Sequence, residues 1–220
     1  MNPLRATFCV LLGLLALSAA LGSFPAMAQP AAISPIFQVN THTEGDQLAS
    51  AVASNGNGRF VAVWHSGWVY EQRPTQDGSG YGVYAQVFDA SGTRIGGEIP
   101  VSQTTAGNQD ESAVAMSADG GFVVVWRSET PVTFESRIFG RRFDPTGAPL
   151  GNELVVSDTP LPARDFHPAI AMDSEGRFVV VWKRYGGDEG EDVYARRFDA
   201  AGSPLGDPFV VSVEERGLPD

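Results

Sequence analysis

Cysteine is almost absent from this chain of 220 residues, since Cys9 is the only one and lies in the apolar segment near the N-terminus. That segment follows a single basic residue, Arg5, and ends in the small-residue triplet Ala26–Ala28. A short basic start, an apolar middle and a small-residue end predict a secretory signal peptide, residues 1–28, cleaved after Ala28. The mature chain then has no cysteine, which excludes disulfides and leaves its stability to a packed core.

Long apolar runs are missing beyond the N-terminal segment, so no part of the mature chain is expected to span a membrane. Lysine is nearly missing too, because Lys183 is the only one. After removal of Arg5 with the signal peptide, 14 basic residues remain against 26 acidic ones, a net charge of −12. An acidic surface of this kind repels phosphate backbones, so nucleic acid is excluded as an expected partner.

The common catalytic and metal-binding motifs are also missing. The sequence has no G-x-S-x-G elbow, no phosphate-binding loop and no H-E-x-x-H pair. The histidines His42, His65 and His167 follow different strand types, which favours surface or loop positions over a zinc site. The tandem-oxygen pattern of a calcium loop is missing as well, so no cofactor is expected. These absences favour a binding protein over an enzyme without deciding between them.

One apolar phrase occurs three times and ends each time in tryptophan: RFVAVW at 59–64, GFVVVW at 121–126 and RFVVVW at 177–182. A second phrase follows each tryptophan, as VYAQVFDASG, IFGRRFDPTG and VYARRFDAAG, and its aspartates are spaced 55 and 55 residues apart. The tryptophans are spaced 62 and 56 apart, so the extra residues of the first repeat fall between the two phrases, in a surface loop. The chain therefore contains three repeats of about 55 residues.

Each repeat contains four short strand candidates: an alanine-rich first strand, the FVVVW phrase, the VYARRF phrase and a short apolar fourth strand. The first and fourth strands are expected at Ser50–Ala53, Ser112–Met116, Pro168–Met172, Ile99–Ser102, Leu154–Ser157 and Phe209–Ser212. A further segment of the fourth type, Ile36–Asn40, precedes the first repeat. Turns that begin with Asn, Ser or Asp and end with Gly separate strands one and two and strands three and four, which predicts tight hairpins.

The second strand is apolar at every position, so both of its faces are expected to be buried. The alanine-rich first strand suits a crowded interior, whereas Pro100 and Pro208 place the fourth strand at a sheet edge. These features predict an all-β fold of three four-stranded antiparallel repeats arranged as β-propeller-like blades, with a β-sandwich as the alternative. The aromatic residues at the two ends of the second strands are the expected core: Phe60, Trp64, Phe122, Trp126, Phe178 and Trp182.

The repeats resemble a known family. The phrases PAIAMDSEGRFVVVW at 168–182 and VYARRFDAAG at 193–202 are similar to tandem repeats of secreted and surface bacterial proteins, over about Ile36 to Ser212. The resemblance implies a propeller-like scaffold in an extracellular setting and supplies no catalytic residues. The expected organisation is a signal peptide (1–28), a linker (29–35), a β domain (36–212, with blades at about 41–102, 103–157 and 158–212) and a tail (213–220).

Three blades are fewer than the four that a closed propeller usually needs. Self-association is therefore expected to close the ring, for example as a six-bladed dimer. An open wedge of three blades and a truncated repeat array are the alternatives, and the sequence does not decide among them.

The loops between second and third strands are expected to share one rim that is rich in carboxylates and aromatic residues. Trp68 and Tyr70 lie in the extra length of the first repeat, and Tyr185 closely follows Trp182, so these three are the candidate ligand contacts. The acidic and glycine-rich stretches around them contain the candidates for a weak calcium site: Asp77, Asp188 and Asp192. Solvated loop charge is the favoured interpretation of those aspartates because the calcium-loop pattern is missing.

The expected function is a secreted or periplasmic, non-catalytic binding module that interacts with carbohydrate or protein at the cell surface. A propeller-type hydrolase acting on glycans is the first alternative, and it requires two rim carboxylates at a fixed separation across a cleft. A remnant of a longer repeat array is the second.

Overall fold

The computed structural model describes residues 36–67, 75–133, 135–158, 162, 164–185 and 190–212. The expected signal peptide, linker and C-terminal tail lie outside these described residues. The chain divides into two units, Met1–Phe37 and Gln38–Asp220, and the second unit contains every strand described below. No helix among the described residues is long and apolar enough to cross a membrane.

Within the described residues, twelve strands form three antiparallel sheets of four strands, and each sheet follows chain order. We call the sheets blades 1, 2 and 3. Blade 1 contains β1 (Asp46–Ser54), β2 (Phe60–Gly67), β3 (Tyr81–Phe88) and β4 (Arg94–Pro100). Blade 2 contains β5 (Asn108–Met116), β6 (Phe122–Glu129), β7 (Ser136–Phe143) and β8 (Leu154–Val155). Blade 3 contains β9 (Asp165–Met172), β10 (Phe178–Tyr185), β11 (Glu191–Phe198) and β12 (Phe209–Ser212). The predicted all-β fold of three four-stranded repeats is confirmed.

The predicted turn chemistry explains why these hairpins form. In the turn that joins β7 to β8, the Asp144 carboxylate accepts hydrogen bonds from the backbone N–H groups of Thr146 at 2.8 Å and Ala148 at 2.9 Å. Gly147 closes this turn at φ +88°, a conformation that residues with a Cβ rarely adopt. The turn that joins β3 to β4 repeats the arrangement with Asp89 as the acceptor and Gly92 at φ +82°.

Two apolar cores lie between the blades, and the second strand of blade 2 contributes to both. Val124 and Trp126 on one face of β6 pack with Val61 and Val63 of blade 1. Val123 on the opposite face packs with residues of blade 3, including Val180 and Trp182. Successive side chains of a strand point to opposite faces, so the repeated phrase supplies each blade with a partner on either side. Blade 2 is buried on both faces for this reason, as the pattern predicts.

Blade 1 has no preceding blade among the described residues, and this changes the burial of one expected core residue. Phe60 is only partly buried, although it stacks on Phe88 with ring centroids 4.8 Å apart. The other five aromatic residues expected in the core are buried: Trp64, Phe122, Trp126, Phe178 and Trp182. Trp126 and Trp182 belong to the two apolar cores, whereas Trp64 lines a groove on the outer face of blade 1.

Several strand boundaries predicted from the sequence differ from those in the structure. Ile36–Asn40 does not form the predicted fourth-type strand, because no third strand lies beside it among the described residues. The carbonyls of Gln38 and Val39 instead accept hydrogen bonds from the Arg94 guanidinium at 2.7 and 3.2 Å. The first strands extend further towards their N-terminal ends than predicted, and that extension builds the site described next.

Candidate ligand-binding rim

One rim of the blades combines the ends of the second strands with the starts of the first strands. The second strands β2, β6 and β10 end there at Gly67, Glu129 and Tyr185, and each pairs with the start of its own first strand. The loops that lead into the third strands also begin at this rim. Most residues on the rim are polar or charged, because the repeated apolar phrase ends at the tryptophan up to three residues earlier, and the aromatic Phe166 and Tyr185 are exceptions.

A bulge interrupts each first strand close to this rim, where its pairing with the second strand shifts. The residues at the shifts are Ala49, Glu111 and His167, with φ of +47°, +51° and +53°. A residue with a Cβ in this conformation is strained by about 1 kcal/mol or more. Bulges re-aim the side chains of a strand, so this strain accompanies a change in the direction of the innermost strand at the rim.

Two of these bulge residues meet across the boundary between blades 2 and 3. The backbone N–H of His167 donates to Glu111 Oε2 at 2.6 Å, and its Nδ1 lies 3.2 Å from the same oxygen. This contact joins the first strands of the two blades on the inner side of the rim. It also gives the strained backbone of His167 a hydrogen-bond acceptor.

Arg127 connects the carboxylates of blade 2. Its Nε and Nη2 donate to the two oxygens of Asp110, each at 2.8 Å, and its Nη1 donates to Glu129 Oε2 at 2.8 Å. Glu111 Oε1 lies 3.6 Å from the Arg127 Nε. The hydrogen bond to Asp110 raises the pKa of Arg127 above its ordinary value, so the guanidinium stays charged. One cation therefore fixes the position of several carboxylate groups.

A second ion pair lies in blade 3. Arg184 donates from Nε and Nη2 to Asp165 at 2.7 and 3.1 Å, and the Asp165 side chain is fully buried. Burial opposes the charge of Arg184, but the hydrogen bond and the charge of Asp165 raise the pKa of Arg184 overall. The guanidinium lies 4.1 Å from the ring centroid of Tyr194, and Ser136 of blade 2 donates to the Asp165 backbone carbonyl at 2.8 Å. These contacts make a rigid base at the junction of blades 2 and 3.

A cleft of about 300 Å³ opens at this junction. Its lining residues are Arg127, Glu129, Ser136, Arg164, Phe166 and Tyr185. The side chain of Tyr185 is 47% exposed, and Arg164 is exposed as well. The Phe166 ring lies 6.0 Å from the Lys183 Nζ and 5.1 Å from the His167 ring. The cleft therefore combines two aromatic rings with donors and acceptors of hydrogen bonds, at the small end of the volumes typical of ligand sites.

His65 occupies in blade 1 the place that Arg127 occupies in blade 2, directly after the tryptophan. It is buried in β2 and packs edge-on against Tyr81 with ring centroids 4.9 Å apart. Burial lowers the pKa of His65 below its ordinary value, so the ring is neutral at physiological pH. The expectation that the histidines occupy surface or loop positions is wrong for His65, because its strand continues past the tryptophan into the rim.

The residues expected at the site fall in different places. Tyr185 lines the cleft, whereas Trp68, Tyr70 and Asp188 lie outside the described residues. The Asp77 Oδ1 accepts from the Ser79 backbone N–H at 3.0 Å, so this carboxylate organises its own turn.

The two described calcium candidates do not come together. Asp77 precedes β3 of blade 1, and Asp192 lies in β11 of blade 3, opposite Arg184 in the strand ladder. In the part of the chain that the structure describes, no three His, Cys, Asp or Glu side chains are grouped so as to hold a metal ion. The described residues therefore offer no support for a calcium site.

Five functional candidates were not predicted from the sequence: Glu111, Arg127, Arg164, Phe166 and His167. None belongs to a catalytic pattern. Two of these residues lie in blade 2 and three in blade 3, so they come together as one group only when the two blades pack. One signal was available, because the bulge residues have the same spacings, 62 and 56, as the tryptophans. When the repeats are aligned on the tryptophan, the residues before it are nearly the same in all three, whereas the residues after it differ.

No family model matches this chain, and no curated protein matches it. Among solved structures, it is similar to an endo-arabinase from Bacteroides thetaiotaomicron, with 13% identity and a TM-score of 0.48, over 76% of this chain and 63% of that one. It is also similar to an α-L-arabinofuranosidase from Lactobacillus brevis, with 12% identity and a TM-score of 0.49, over 81% of this chain and 61% of that one. This chain thus spans about three fifths of the length of those proteins. At such identities the likeness concerns the fold alone.

Proposed function

We propose that this chain is a secreted, non-catalytic binding module that holds a carbohydrate ligand in the cleft between blades 2 and 3. The observation that carries the proposal is the combination, in one cleft, of the exposed Tyr185 ring and the Phe166 ring with Arg164, Arg127 and Glu129. Sugars present apolar ring faces and hydroxyl groups that both donate and accept hydrogen bonds. An aromatic surface flanked by fixed polar groups meets both requirements.

The polar groups of the cleft differ in how much capacity they have left for a ligand. Arg127 and Glu129 bind each other at 2.8 Å and are held in place. Arg164 is exposed and forms no ion pair with any described residue, so its guanidinium is available as a donor. The Glu129 carboxylate retains lone pairs that a hydroxyl group can reach. The cleft thus offers both a donor and an acceptor without reorganisation, which favours binding.

The arrangement of the carboxylates favours binding over hydrolysis. Glycoside hydrolysis uses two carboxyl groups that flank the scissile bond across a cleft, one of which supplies a proton. Among the described lining residues, Glu129 is the only carboxylate, and Arg127 already binds it. Asp110 is occupied by two hydrogen bonds from the same guanidinium. We therefore propose a binding role and treat hydrolysis as an outcome that the experiment distinguishes.

Export to the periplasm or the cell surface completes the proposal. It rests on the predicted signal peptide and on the resemblance to repeats of secreted proteins. The mature chain, without cysteine, would fold in an oxidising compartment without forming disulfides. Recovery of a chain that starts at Gln29 from the periplasm or the medium is the corresponding check.

The test is a glycan-array screen of the mature chain, followed by titration calorimetry with the best oligosaccharide. Tyr185→Ala and Phe166→Ala are each expected to weaken binding by about tenfold, because covering one aromatic ring contributes on the order of 1.5 kcal/mol. Leu150→Ala is the matched control, since Leu150 is similarly exposed but follows the turn after β7, away from the cleft.

Three results would contradict the proposal. Binding that is unchanged in both aromatic variants would place the ligand elsewhere, and the double variant Trp68→Ala, Tyr70→Ala then tests the loop of the first repeat. Failure to bind any glycan would remove carbohydrate as the ligand class. Release of reducing ends from the bound oligosaccharide, lost on Glu129→Gln, would replace the binding role with hydrolysis.

A further inference from the structure

The two internal blade junctions are built alike, and each end of the array keeps one half of the same junction. Blade 2 presents one face to blade 1 and the other face to blade 3. Within the described residues, blade 1 has no blade before it and blade 3 has none after it. Both outer faces can therefore be compared, residue by residue, with a buried equivalent in the same chain.

The outer face of blade 3 is apolar and incompletely covered. Val101 and Val156, at the ends of the fourth strands of blades 1 and 2, are fully buried, whereas their equivalent Val211 is 57% exposed. On the first strands, Ala115 is buried and its equivalent Ala171 is exposed. The sequence thus keeps the residues of a junction on a face that meets no further blade among the described residues.

The outer face of blade 1 shows the complementary half. Val114 and Ile170 pack into the two blade junctions, but their equivalent Val52 is 67% exposed. Beside Val52, the side chains of Phe60 and Ala62 line a groove of about 450 Å³. This groove is the counterpart of the surface of blade 2 that receives Val61 and Val63 of blade 1.

On the outer face of blade 3, the Arg197 side chain forms no hydrogen bond or ion pair with another described residue. In blade 2, the Arg142 guanidinium reaches forward and donates to the Ala201 carbonyl in a turn of blade 3. The equivalent of Arg142 in blade 3 is Arg197, which is exposed. By the same geometry, Arg197 would donate to the Ser91 carbonyl in the matching turn of a blade 1.

We propose that blade 3 of one copy of this chain docks on blade 1 of a second copy through the same type of junction that joins the blades internally. The contact is head-to-tail, and such contacts either close into a ring or extend into a filament. Two copies supply six blades, which lies within the four to eight of closed propellers. The second copy is therefore expected to close the ring through two identical junctions. This inference is independent of the proposed carbohydrate site.

Two differences from the internal junctions define where the contact forms. Arg141 and Arg196 donate to the carbonyls of Val101 and Val156 in the preceding blade, but their equivalent in blade 1 is the buried Gln86. Gln86 donates within its own blade instead, so the junction between copies has one hydrogen bond fewer.

The N-terminal segment of the β domain already occupies the outer part of the blade 1 face. Glu98 accepts from Thr41 just as Glu153 of blade 2 accepts from Gln103 and Thr104, which places Thr41 where the preceding fourth strand would end. The strand β12 of an incoming blade 3 would compete for this position. Docking of β12, and with it burial of Val211, would require this segment to move, whereas β9 to β11 meet no such obstacle, so the test substitutions belong on the inner strands.

The experiment measures the mass of the mature chain by light scattering and sedimentation across the micromolar range. Ala169→Arg changes the outer face of blade 3, because its equivalent Ala113 packs into the core between blades 2 and 3, and Val52→Arg changes the outer face of blade 1. Both positions are exposed, so the monomer should keep its fold and its circular dichroism spectrum. Val132→Arg, at a position 81% exposed in the loop after β6, is the matched control.

The wild type and Val132→Arg are expected to be dimers, and each face variant is expected to dissociate with a dissociation constant raised on the order of 100-fold. An equimolar mixture of the two face variants should recover dimers, because the mixture restores one intact head-to-tail junction. A monomeric wild type would overturn the proposal, as would polymers without a dimer. A dimer that Ala169→Arg breaks and Val52→Arg leaves intact would show pairing of like faces, which also overturns it.

Discussion

Replacement of Val124 by aspartate is the most direct test of the idea that the repeated apolar phrase lies between packed sheets. Val124 is fully buried in β6 and packs in the core between blades 1 and 2. Its neighbours in that core include Val61, Val63 and Phe143, and they offer no hydrogen-bond donor to a carboxylate. The substitution therefore removes apolar contacts and introduces a charge that nothing at the site can compensate.

The expected loss of stability has two parts. Removing a buried valine forfeits about 1.5–3 kcal/mol of transfer free energy. Burying a carboxylate without a partner adds several kcal/mol more, whether it stays charged or is forced to bind a proton. Domains have total stabilities of roughly 5–15 kcal/mol, so Val124→Asp is expected to leave the mature chain largely unfolded at 25 °C.

Thermal melting followed by circular dichroism is the assay, and a graded variant keeps it informative if Val124→Asp does not accumulate. Val124→Ala removes two methyl groups and should destabilise the chain by about 2 kcal/mol, which corresponds to a melting temperature about 4–8 °C lower. Val132→Asp, in the exposed loop after β6, should leave the melting temperature unchanged. A midpoint for Val124→Asp equal to that of the wild type would refute the packing of blades on both faces of β6.

Two further predictions follow from the ion pair and from the turns. Asp165→Asn leaves the Arg184 guanidinium without its buried carboxylate and should lower the free energy of unfolding, measured in urea, by about 3 kcal/mol. The control Glu191→Gln breaks the exposed ion pair with Lys183 and should lower it by less than about 1 kcal/mol. Equal losses of stability in the two variants would contradict the burial argument. Hydrogen bonds from Ser91 and Thr146 lower the pKa values of Asp89 and Asp144. The stability that these turns contribute is therefore present above about pH 4, and it is lost as the pH falls through the lowered pKa values of the folded state. Asp144→Asn keeps the acceptor without the titration, so the acid decline of its melting temperature should be shallower than that of the wild type, and identical declines would exclude a role for this turn.

The blade architecture could be predicted from the sequence because two independent local signals agree. The β-branched phrase at 122–126 has no polar side, which is consistent only with packing on both faces. The aspartate and glycine of the turn at Asp144–Gly147 require a hairpin immediately after the third strand. Both signals depend on neighbours within a few residues, so a single sequence suffices to read them.

The rim could not be predicted in the same way, because it depends on a backbone feature that leaves no composition signal. Glutamate is uncommon at positive φ, and histidine, although enriched there, occurs far more often at other φ values, so residue identity alone does not mark Glu111 and His167 as bulge residues. Their contact joins two blades and requires the relative position of β5 and β9, which no local pattern encodes. The strand prediction for Ile36–Asn40 fails for a related reason, since this segment has the composition of a strand but pairs with no strand in the part of the chain that the structure describes.

The cleft lies where the packing of the blades does not restrict which side chains can occupy a position. At the tryptophan and before it, packing against a neighbouring blade restricts which side chains fit, and the three repeats accordingly use almost the same residues. Beyond it, the pair Gln47 and Ser66 of blade 1 becomes the pair Asp165 and Arg184 of blade 3 at the same place in the ladder. A neutral pair needs only its hydrogen bond of 2.7 Å, whereas a buried ion pair needs further contacts, and it finds them in Tyr194. The junction of blades 2 and 3 is thus chemically distinct from the junction of blades 1 and 2, although their apolar cores are built alike. Ligand recognition by this protein is accordingly expected at one junction rather than at every repeat.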